Sequence, residues 1–402
     1  MSAINDALKI VDYSIAKELP NEAVKNILKD VNFSDGKVVL VAIGKAAYEM
    51  AKAATEIKHI DEGIVITKYD HIKSKLNNIE LYEAGHPISD QNTFIATKRA
   101  LQLTKDLSNK DTVLFLVSGG GSALFEQSDL SLEVIQDINN QLLKSGADIK
   151  EINTIRKRLS NVKGGKFAKH CYPAKIIQIV LSDIINDPLD MIASGPAAID
   201  SSSSKDALNI IDKYNIKLSN KALKLINNDT IKQIDNVDTY FAGNLELLCL
   251  AALNKAKELG YDTKIIKTDE NGIAKDAGKQ FALLANSQKP NTCLIMGGET
   301  VVNVKGSGLG GRNQEFVLSA AKYINDNVTI LSIGSDGTDG PTDAAGGYVD
   351  SVIKQKIKEL SIDIDLALNN NDSYNTLKQL DALIVTGPTG TNVNDLMLAI
   401  IK

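Results

Sequence analysis

The chain has 402 residues, with 45 Lys and Arg against 50 Asp and Glu, which gives a net charge of −5. This charge excludes the broad basic surface typical of nucleic-acid-binding proteins, so any anionic ligand must be held locally. A content of 43% hydrophobic and 24% charged residues is typical of globular proteins and excludes the fibrous and disordered classes. The length predicts two to three domains, at roughly 150 residues each.

Three widely spaced cysteines, Cys171, Cys249 and Cys293, support neither a disulfide framework nor a zinc site. The first residues carry charges without an apolar signal segment, and no stretch of about 18 uncharged apolar residues occurs. Secretion and membrane spanning are therefore disfavoured. We expect a cytoplasmic protein without membrane or nucleic-acid partners.

The predicted strands are short apolar runs, each followed by small or acidic residues, at 38–43, 113–117, 176–181, 292–296, 328–333 and 383–385. Because these runs do not alternate strictly, they indicate strands buried on both faces of a parallel sheet. Segments with helical periodicity lie between them, at 46–57, 91–107, 132–144, 245–259 and 274–286. This alternation predicts a doubly wound α/β fold, whose ligand crevice lies beyond the carboxyl ends of the strands.

The predicted domain boundary lies near residue 236. Residues 201–204 form a low-complexity serine loop, and residues 205–238 are rich in Asn, Lys and Asp with little strand signal. We therefore predict domains at 1–235 and 236–402, with the tail at about 391–402 as a candidate to pack back on the first domain.

Two motifs that follow predicted strands are suited to anions. Lys45, in Gly-Lys-Ala-Ala, stands at a helix N-terminus, where its charge opposes the helix dipole and is better explained by a bound anion. Gly119, Gly120 and Gly121, between Ser118 and Ser122, allow backbone N–H groups to converge on an anion. A solvated surface lysine and a flexible turn are the alternatives.

Two further glycine patterns bear on nucleotide binding. The P-loop signature is absent, because Phe167 follows Gly164-Gly165-Lys166. Residues 306–311 match G-x-G-x-x-G, but residues 300–305 alternate apolar and polar side chains and predict a half-exposed hairpin strand, not a buried Rossmann strand. Arg312 follows these glycines and is suited to bidentate binding of carboxylate or phosphate. The alternative is a surface pair with Glu315.

Acidic residues cluster after several predicted strands, and carboxylates are oxygen ligands that Mg²⁺ accepts. They are Asp183, Asp187, Asp190, Glu299, Asp336, Asp339 and Asp343. Capped turns are the alternative for at least half of them. The four histidines show no zinc spacing, and His86, in Ala-Gly-His-Pro, is interpreted as a structural loop residue.

Together these motifs resemble the glycerate 2-kinases of the glycerate kinase/MOFRL type. Matching blocks run in family order through the chain, at 44–47, 85–87, 118–123, 163–166, 181–183 with 187–190, 192–196, 297–300, 310–315, 335–340 and 387–396. Two departures are Ala197-Ala198 after Ser-Gly-Pro, and Asn186 where the family commonly has Gly.

The resemblance implies a Rossmann-like N-terminal domain, a smaller α/β C-terminal MOFRL domain and a cleft between them. It also implies phosphorylation of D-glycerate to 2-phosphoglycerate, dependent on ATP and Mg²⁺, with Lys45 and Arg312 essential. We expect these two residues, with Ser118, to hold the glycerate carboxylate and the transferring phosphoryl group. Asp183 is expected to accept or orient the proton of the 2-hydroxyl.

The remaining expectations concern the nucleotide and the metal. Nucleotide binding is expected at Gly119, Gly120, Gly121, Ser122, Gly297, Gly298 and Glu299. Mg²⁺ is expected at Glu299, Asp336 and Asp339. The alternative functions are an NAD(P)H-dependent hydroxypyruvate reductase and a sugar-phosphate-binding protein without activity, and a homo-oligomer is a candidate assembly.

Overall fold

The computed structural model describes residues 2–402, which form two compact units. The parallel unit comprises Pro20–Ser182 and Asp187–Ala242. The mixed unit comprises the chain up to Leu19, including helix α1 (Ala3–Lys17), with Asp183–Asn186 and Gly243–Lys402. No helix in residues 2–402 combines the length and the apolar character that crossing a membrane requires. All three cysteines are buried and free.

Six strands form the sheet of the parallel unit: β1 (Val38–Ile43), β2 (Glu62–Lys68), β3 (Ile79–Ala84), β4 (Thr112–Val117), β5 (Lys175–Leu181) and β6 (Val237–Gly243). Their order is β3-β2-β1-β4-β5-β6, and neighbours from β3 to β5 are parallel. The central strands β1 and β4 are buried at every residue, as their unbroken apolar runs predict. Strand β3 lies at the edge and is partly exposed, so its sequence lacks that signal.

Helices connect these strands, and they are α2 (Pro20–Asp30), α3 (Ala47–Ile57), α4 (Gln91–Leu103), α5 (Gly121–Leu124), α6 (Leu132–Lys144), α7 (Ile149–Leu159), α8 (Lys166–Cys171), α9 (Ser204–Tyr214) and α10 (Asn220–Ile226). A short 3-10 turn spans Ile192–Ser194. Residues 205–238, which were predicted to join the two domains, contain helices α9 and α10. The apolar side chains of these helices pack with those of α6 and α7 in one core.

The mixed unit has its own six-stranded sheet, formed by β7 (Asp262–Glu270), β8 (Thr292–Gly298), β9 (Val328–Gly334), β10 (Gly346–Val349), β11 (Leu383–Ile384) and β12 (Asp395–Ile401). The order is β11-β10-β9-β12-β8-β7, and only the β7–β8 pair is parallel among the pairs with defined register. The remaining helices are α11 (Leu245–Glu258), α12 (Ala274–Asn286), α13 (Arg312–Ala320), α14 (Ser351–Glu359), α15 (Ile364–Asn369) and α16 (Ser373–Gln379).

Helix α1 departs from the predicted division at residue 236, because it belongs to the mixed unit. Helix α1 contacts α11 and β12, and the Asp6 carboxylate accepts hydrogen bonds from Tyr261 Oη at 2.6 Å and Lys402 Nζ at 3.1 Å. The tail belongs to the mixed unit, where β12 lies between β8 and β9 and is fully buried. The chain therefore enters the parallel unit only after Leu19.

The prediction of a hairpin strand at residues 300–305 is wrong. The structure has only one isolated parallel bridge there, between Val301 and Ile273. The alternating apolar residues do not mark a buried face, since Val301 is 53% exposed and Val304 is 73% exposed. The sheet of the mixed unit also departs from the predicted parallel arrangement, because β12 inserts between β8 and β9 antiparallel to both.

Candidate active site

Lys45 and the glycine loop lie at the point where the strand order of the parallel unit reverses. Strands β1 and β4 are neighbours in an order of the Rossmann type, and ligands bind beyond the carboxyl ends of such strands. The backbone N–H of Lys45 donates to the Gly119 carbonyl at 2.9 Å, and that of Ala46 donates to Ser118 Oγ at 3.0 Å. The predicted residues that follow these two strands are therefore brought together.

Glycine is required where the loops meet. Gly44 has a φ of +109°, and a Cβ there would collide with Ser118. Gly120 has a φ of +84°, and a Cβ there would lie 2.9 Å from the His86 ring and 3.4 Å from Lys45 Cγ. A Cβ at Gly121 would lie 2.8 Å from Cβ of Ala193. The glycines thus permit a close approach between four chain segments.

Ser122 and Ser118 are held by protein groups. Ser122 Oγ lies 3.0 Å from Ser194 Oγ, which donates to Asn153 Oδ1 at 2.9 Å. Ser118 Oγ donates to the Ile43 carbonyl at 3.2 Å. Ser194 has a φ of +61°, a conformation that serine rarely adopts, so the surrounding structure imposes it. Both serines fix the shape of the loop, whatever ligand it binds.

Arg312 begins helix α13 in the mixed unit, where β8 and β9 end and β12 begins. Asp395, the first residue of β12, is paired with both Gly298 and Gly334. Arg312 donates to its buried carboxylate through Nε at 2.6 Å and Nη2 at 2.9 Å. The partner of Arg312 is therefore Asp395, and not Glu315, which accepts a hydrogen bond from the Asn371 side chain at 3.2 Å.

This buried pair fixes the orientation of the guanidinium. Burial lowers the pKa of Arg312, but the hydrogen bond and charge of Asp395 outweigh it, so the pKa of Arg312 is raised. Burial likewise raises the pKa of Asp395, and Arg312 opposes that shift. Asp395 occupies one N–H of Nε and one N–H of Nη2, so three of the five guanidinium N–H groups, on Nη1 and Nη2, are not used by this pair. Nη1 lies 3.8 Å from Glu299 Oε1, so this carboxylate is a second and more distant ion-pair partner of Arg312.

The three predicted metal ligands are not gathered into a cluster. In residues 2–402, no group of three or more His, Cys, Asp or Glu side chains could hold a metal ion. Asp339 accepts the backbone N–H groups of Asn313 at 3.1 Å and Gln314 at 2.9 Å, and thereby caps α13. Burial raises the pKa of Asp339 to about 7, although these N–H groups oppose the shift. Asp336 Oδ1 accepts from the Thr338 backbone at 2.9 Å, while Glu299 is half exposed.

The remaining predicted residues lie at strand ends. A Cβ at Gly297 would lie 2.7 Å from Cys249 Sγ, and one at Gly298 would collide with the Glu270 backbone. Both glycines are therefore explained by packing. Asp183 follows β5 and is partly exposed, and the compact units place it with the mixed unit.

The G-x-G-x-x-G pattern at 306–311 is also explained by packing. Added Cβ atoms at Gly306, Gly308 and Gly310 would collide with residues 370–373. Asn371 Oδ1 accepts the backbone N–H groups of Lys305 at 2.7 Å and Gly306 at 2.9 Å, which binds this loop to the segment before α16. These glycines therefore do not indicate a dinucleotide site.

A cavity of about 710 Å³ lies within the mixed unit, beside Arg312. The exposed side chains of Val301 and Val304 contribute to its wall, together with Glu299 and Gly311. This volume is in the range of sites for cofactors and drug-sized ligands, and it exceeds what a small hydroxy acid needs.

Comparison with known proteins identifies the family. Residues 6–227 match a family described as a domain of unknown function, DUF4147, and residues 292–395 match the MOFRL family. The chain is 49% identical to D-glycerate 2-kinase of Thermotoga maritima, over 98% of this chain and 97% of that protein. The chain belongs to the glycerate kinase/MOFRL family. Lys45 and the glycine loop lie in the DUF4147 match, and Arg312 lies in the MOFRL match.

The fold agrees with this family membership. A crystal structure of glycerate kinase from Thermotoga maritima matches with a TM-score of 0.95 at 48% identity, and the match covers 99% of both chains. A family member from Agrobacterium vitis, 35% identical over 91% of this chain and 100% of its own length, bears the name "Putative hydroxypyruvate reductase". Two activities are thus named among the relatives.

Two residues of the site were missed by sequence reasoning. Asp395 is a single acid that opens the last strand, 83 positions from Arg312, and no local pattern links the two. His86 lies against Gly120 and Lys45, although its motif was interpreted as a structural loop. No strand was predicted before it, because β3 is a partly exposed edge strand, so no predicted strand end pointed to His86.

Proposed function

We propose that this protein is a glycerate 2-kinase that transfers a phosphoryl group from ATP to the 2-hydroxyl of D-glycerate, with Mg²⁺ and in the cytoplasm. The observation that carries this proposal is the meeting of Lys45 and the Gly119–Gly121 loop at the switch point of a Rossmann-type sheet. The name of the Thermotoga relative supports glycerate as the acceptor.

Two features support a nucleotide as the phosphoryl donor, one in each unit. The glycine loop offers backbone without Cβ obstruction, which is what phosphate oxygens require in the absence of a P-loop. The cavity beside Arg312 has the size and the apolar valine wall that suit a base and sugar. Glu299, which directly follows β8, lines this cavity, whereas Gly297 and Gly298 do not.

The cationic residues act by placing positive charge where negative charge develops, which is the main requirement of phosphoryl transfer. Lys45 is exposed and available to the glycerate carboxylate or to a phosphate. Arg312 presents Nη1 in an orientation that Asp395 fixes. Asp183, after β5, orients the hydroxyl of glycerate in this proposal.

Mg²⁺ commonly binds one or two carboxylates together with nucleotide phosphates, so no larger cluster is needed. Glu299 and Asp336 fit this requirement, since Glu299 is half exposed and Asp336 is partly exposed. Asp339 fits it poorly, because both of its oxygens accept backbone N–H groups. When bound, the ion supplies charge neutralisation of the phosphates.

The test is incubation with D-glycerate, ATP and Mg²⁺, followed by ³¹P NMR of the product. We expect 2-phosphoglycerate. Formation of 3-phosphoglycerate would contradict the proposed regiospecificity. Binding of phosphoglycerate without ATP turnover would instead support a binding protein.

The second candidate is the hydroxypyruvate reductase, which is favoured only by the name of the Agrobacterium relative. The packing of Gly306, Gly308 and Gly310 against residues 370–373 accounts for the G-x-G-x-x-G pattern without a dinucleotide, although Gly308 and Gly310 also line the cavity beside Arg312. Following NADH absorbance with hydroxypyruvate separates the two functions, and we expect no oxidation.

A further inference from the structure

His86 extends the group of residues at the switch point of the parallel unit. It follows β3, yet its Nε2 and Cδ2 atoms both lie 2.9 Å from the position that a Cβ on Gly120 would occupy. Lys45 Cγ lies 3.4 Å from the same position. The edge of the imidazole that carries Nε2 therefore faces the glycine loop, beside Lys45.

The loop that carries His86 is firmly anchored. Asp90 caps α4 by accepting the Thr93 backbone N–H at 2.9 Å, and it also accepts from Tyr69 Oη at 2.7 Å. Ser89 Oγ donates to the Ala123 carbonyl at 2.7 Å, which ties the loop to the helix after the glycines. These bonds hold the backbone of His86 in place without using its ring.

The ring nitrogens of His86 have no hydrogen-bond or ion-pair partner in residues 2–402. The other three histidines differ, since His71 Nδ1 lies 3.0 Å from the Tyr69 carbonyl, His170 Nε2 lies 2.9 Å from the Leu101 carbonyl, and His59 lies 3.5 Å from Asp61. His86 is only partly buried, and no protein group bonds its ring nitrogens, so they are open to solvent or to a ligand. A fixed backbone beside an anion-binding loop with a free imidazole edge is an arrangement found at functional sites.

The surroundings keep this imidazole uncharged at neutral pH. Burial lowers the pKa of His86, and the charges of Lys45, Lys68 and His71 lower it further.

Nearby carboxylates do not offset this effect. Asp90 is engaged by Tyr69 and Thr93, and Glu83 accepts the backbone N–H groups of His71 and Ile72 at 3.0 Å. A neutral imidazole has one nitrogen that can accept a proton.

We propose that His86 is the general base that accepts the hydroxyl proton of glycerate, an inference that rests on the proposed kinase function. The hydroxyl oxygen forms a bond to the γ-phosphorus as the bond from that phosphorus to the β,γ-bridging oxygen breaks, and the electron pair leaves with ADP. The hydroxyl proton passes to the unprotonated ring nitrogen of His86. The imidazolium then releases this proton to water, so the enzyme returns to its starting state.

The experiment compares the pH dependence of kcat in the wild type, His86→Gln and His86→Ala. The base must be unprotonated, so wild-type kcat falls as the pH drops through the pKa of His86 in the substrate complex. We expect both variants to lose on the order of 10²-fold in kcat near pH 8 and to lose the acidic limb. The KM for D-glycerate should change little. His59→Gln, an exposed histidine of the same unit, is the matched control.

Chemical rescue adds a readout that a structural role would not affect. Free imidazole should restore turnover to folded His86→Ala in proportion to its unprotonated fraction, and it should not stimulate the wild type. Full kcat in His86→Gln, or an acidic limb that persists in it, would overturn the assignment and point to another base such as Asp183. An inactive wild type would overturn the proposed function, and the assignment of His86 with it.

Discussion

The edge of the parallel unit that carries Lys45 and the edge of the mixed unit that carries Arg312 present positive charge in opposite ways. Lys45 is exposed, and its ammonium has no hydrogen-bond or ion-pair partner within the described residues. Arg312 is held by two hydrogen bonds to Asp395, whose side chain is completely buried. One cation is free to move and the other is fixed.

This difference gives the two cations different roles, since Lys45 attracts an anion and Arg312 offers a guanidinium of fixed orientation. An exposed ammonium is a compact charge on a flexible stem, and it can follow an anion at little cost in desolvation. A guanidinium held against a buried carboxylate is already oriented, so little reorganisation remains when charge develops in the transition state. We therefore expect substitutions at the Arg312 edge to affect folding as well as catalysis, and those at Lys45 to affect catalysis alone.

The largest effect is expected for Asp395→Ala. The substitution leaves the arginine partly buried without its partner, which costs about 3–5 kcal/mol in the free energy of unfolding. Urea unfolding monitored by circular dichroism measures this loss. The control is Asp326→Ala, which removes an exposed ion pair with Lys354 in the same unit and should cost less than about 1 kcal/mol. If both variants lost the same free energy of unfolding, the buried Arg312–Asp395 pair would contribute no more to stability than an exposed ion pair.

Lys45→Ala should lower kcat/KM by about 10²-fold or more, because it removes a charge that stabilises the transition state. The unfolding free energy should stay within about 0.5 kcal/mol of the wild type, since the side chain is exposed. A coupled assay for ADP measures turnover. Lys52→Ala, an exposed lysine on α3, is the control and should retain activity. Near-normal turnover in folded Lys45→Ala would assign Lys45 to the solvated surface.

Arg312→Lys retains the charge but cannot form two parallel bonds to the Asp395 carboxylate. We expect kcat, measured at saturating ATP, to fall about 10-fold relative to the wild type, because the cation loses its fixed direction. Steady-state kinetics with saturating ATP and varied D-glycerate measure it. If the lysine variant matched the wild type, orientation by Asp395 would have no catalytic role.

The parts of this site that the sequence predicts are those that depend on local residue patterns. The valine- and isoleucine-rich runs before Lys45 and Ser118 predict strands that the structure confirms as β1 and β4. The pairing of Arg312 with Asp395 is not local, because it depends on β12 inserting between β8 and β9. His86 likewise lies beside the glycine loop although β2 and β1 separate β3 from β4 in the sheet, so no local pattern reveals this contact.

The fold shows the same limit. The hydrophobic patterns of α3 and α6 predict these helices, but α1 packs on the mixed unit, which no pattern near residue 236 reveals. Packing between distant segments decides unit membership.

The smallest effect concerns Asp339, which caps α13 directly after the fixed arginine. Burial raises the pKa of Asp339 to about 7 in the folded state, from an ordinary value of 3.8. The folded state therefore retains a proton that the unfolded state releases, and stability from this group falls as the pH rises from about 4 to 7, by at most about 1.4 kcal/mol per pH unit. Asp339→Asn removes this titration, so the wild type should lose stability relative to the variant across that window, as urea unfolding at several pH values would measure. If the free energy of unfolding changed with pH in the same way for both proteins, the N–H groups of Asn313 and Gln314 would outweigh burial. The Asp339 carboxyl would then titrate no differently from one on a solvated surface.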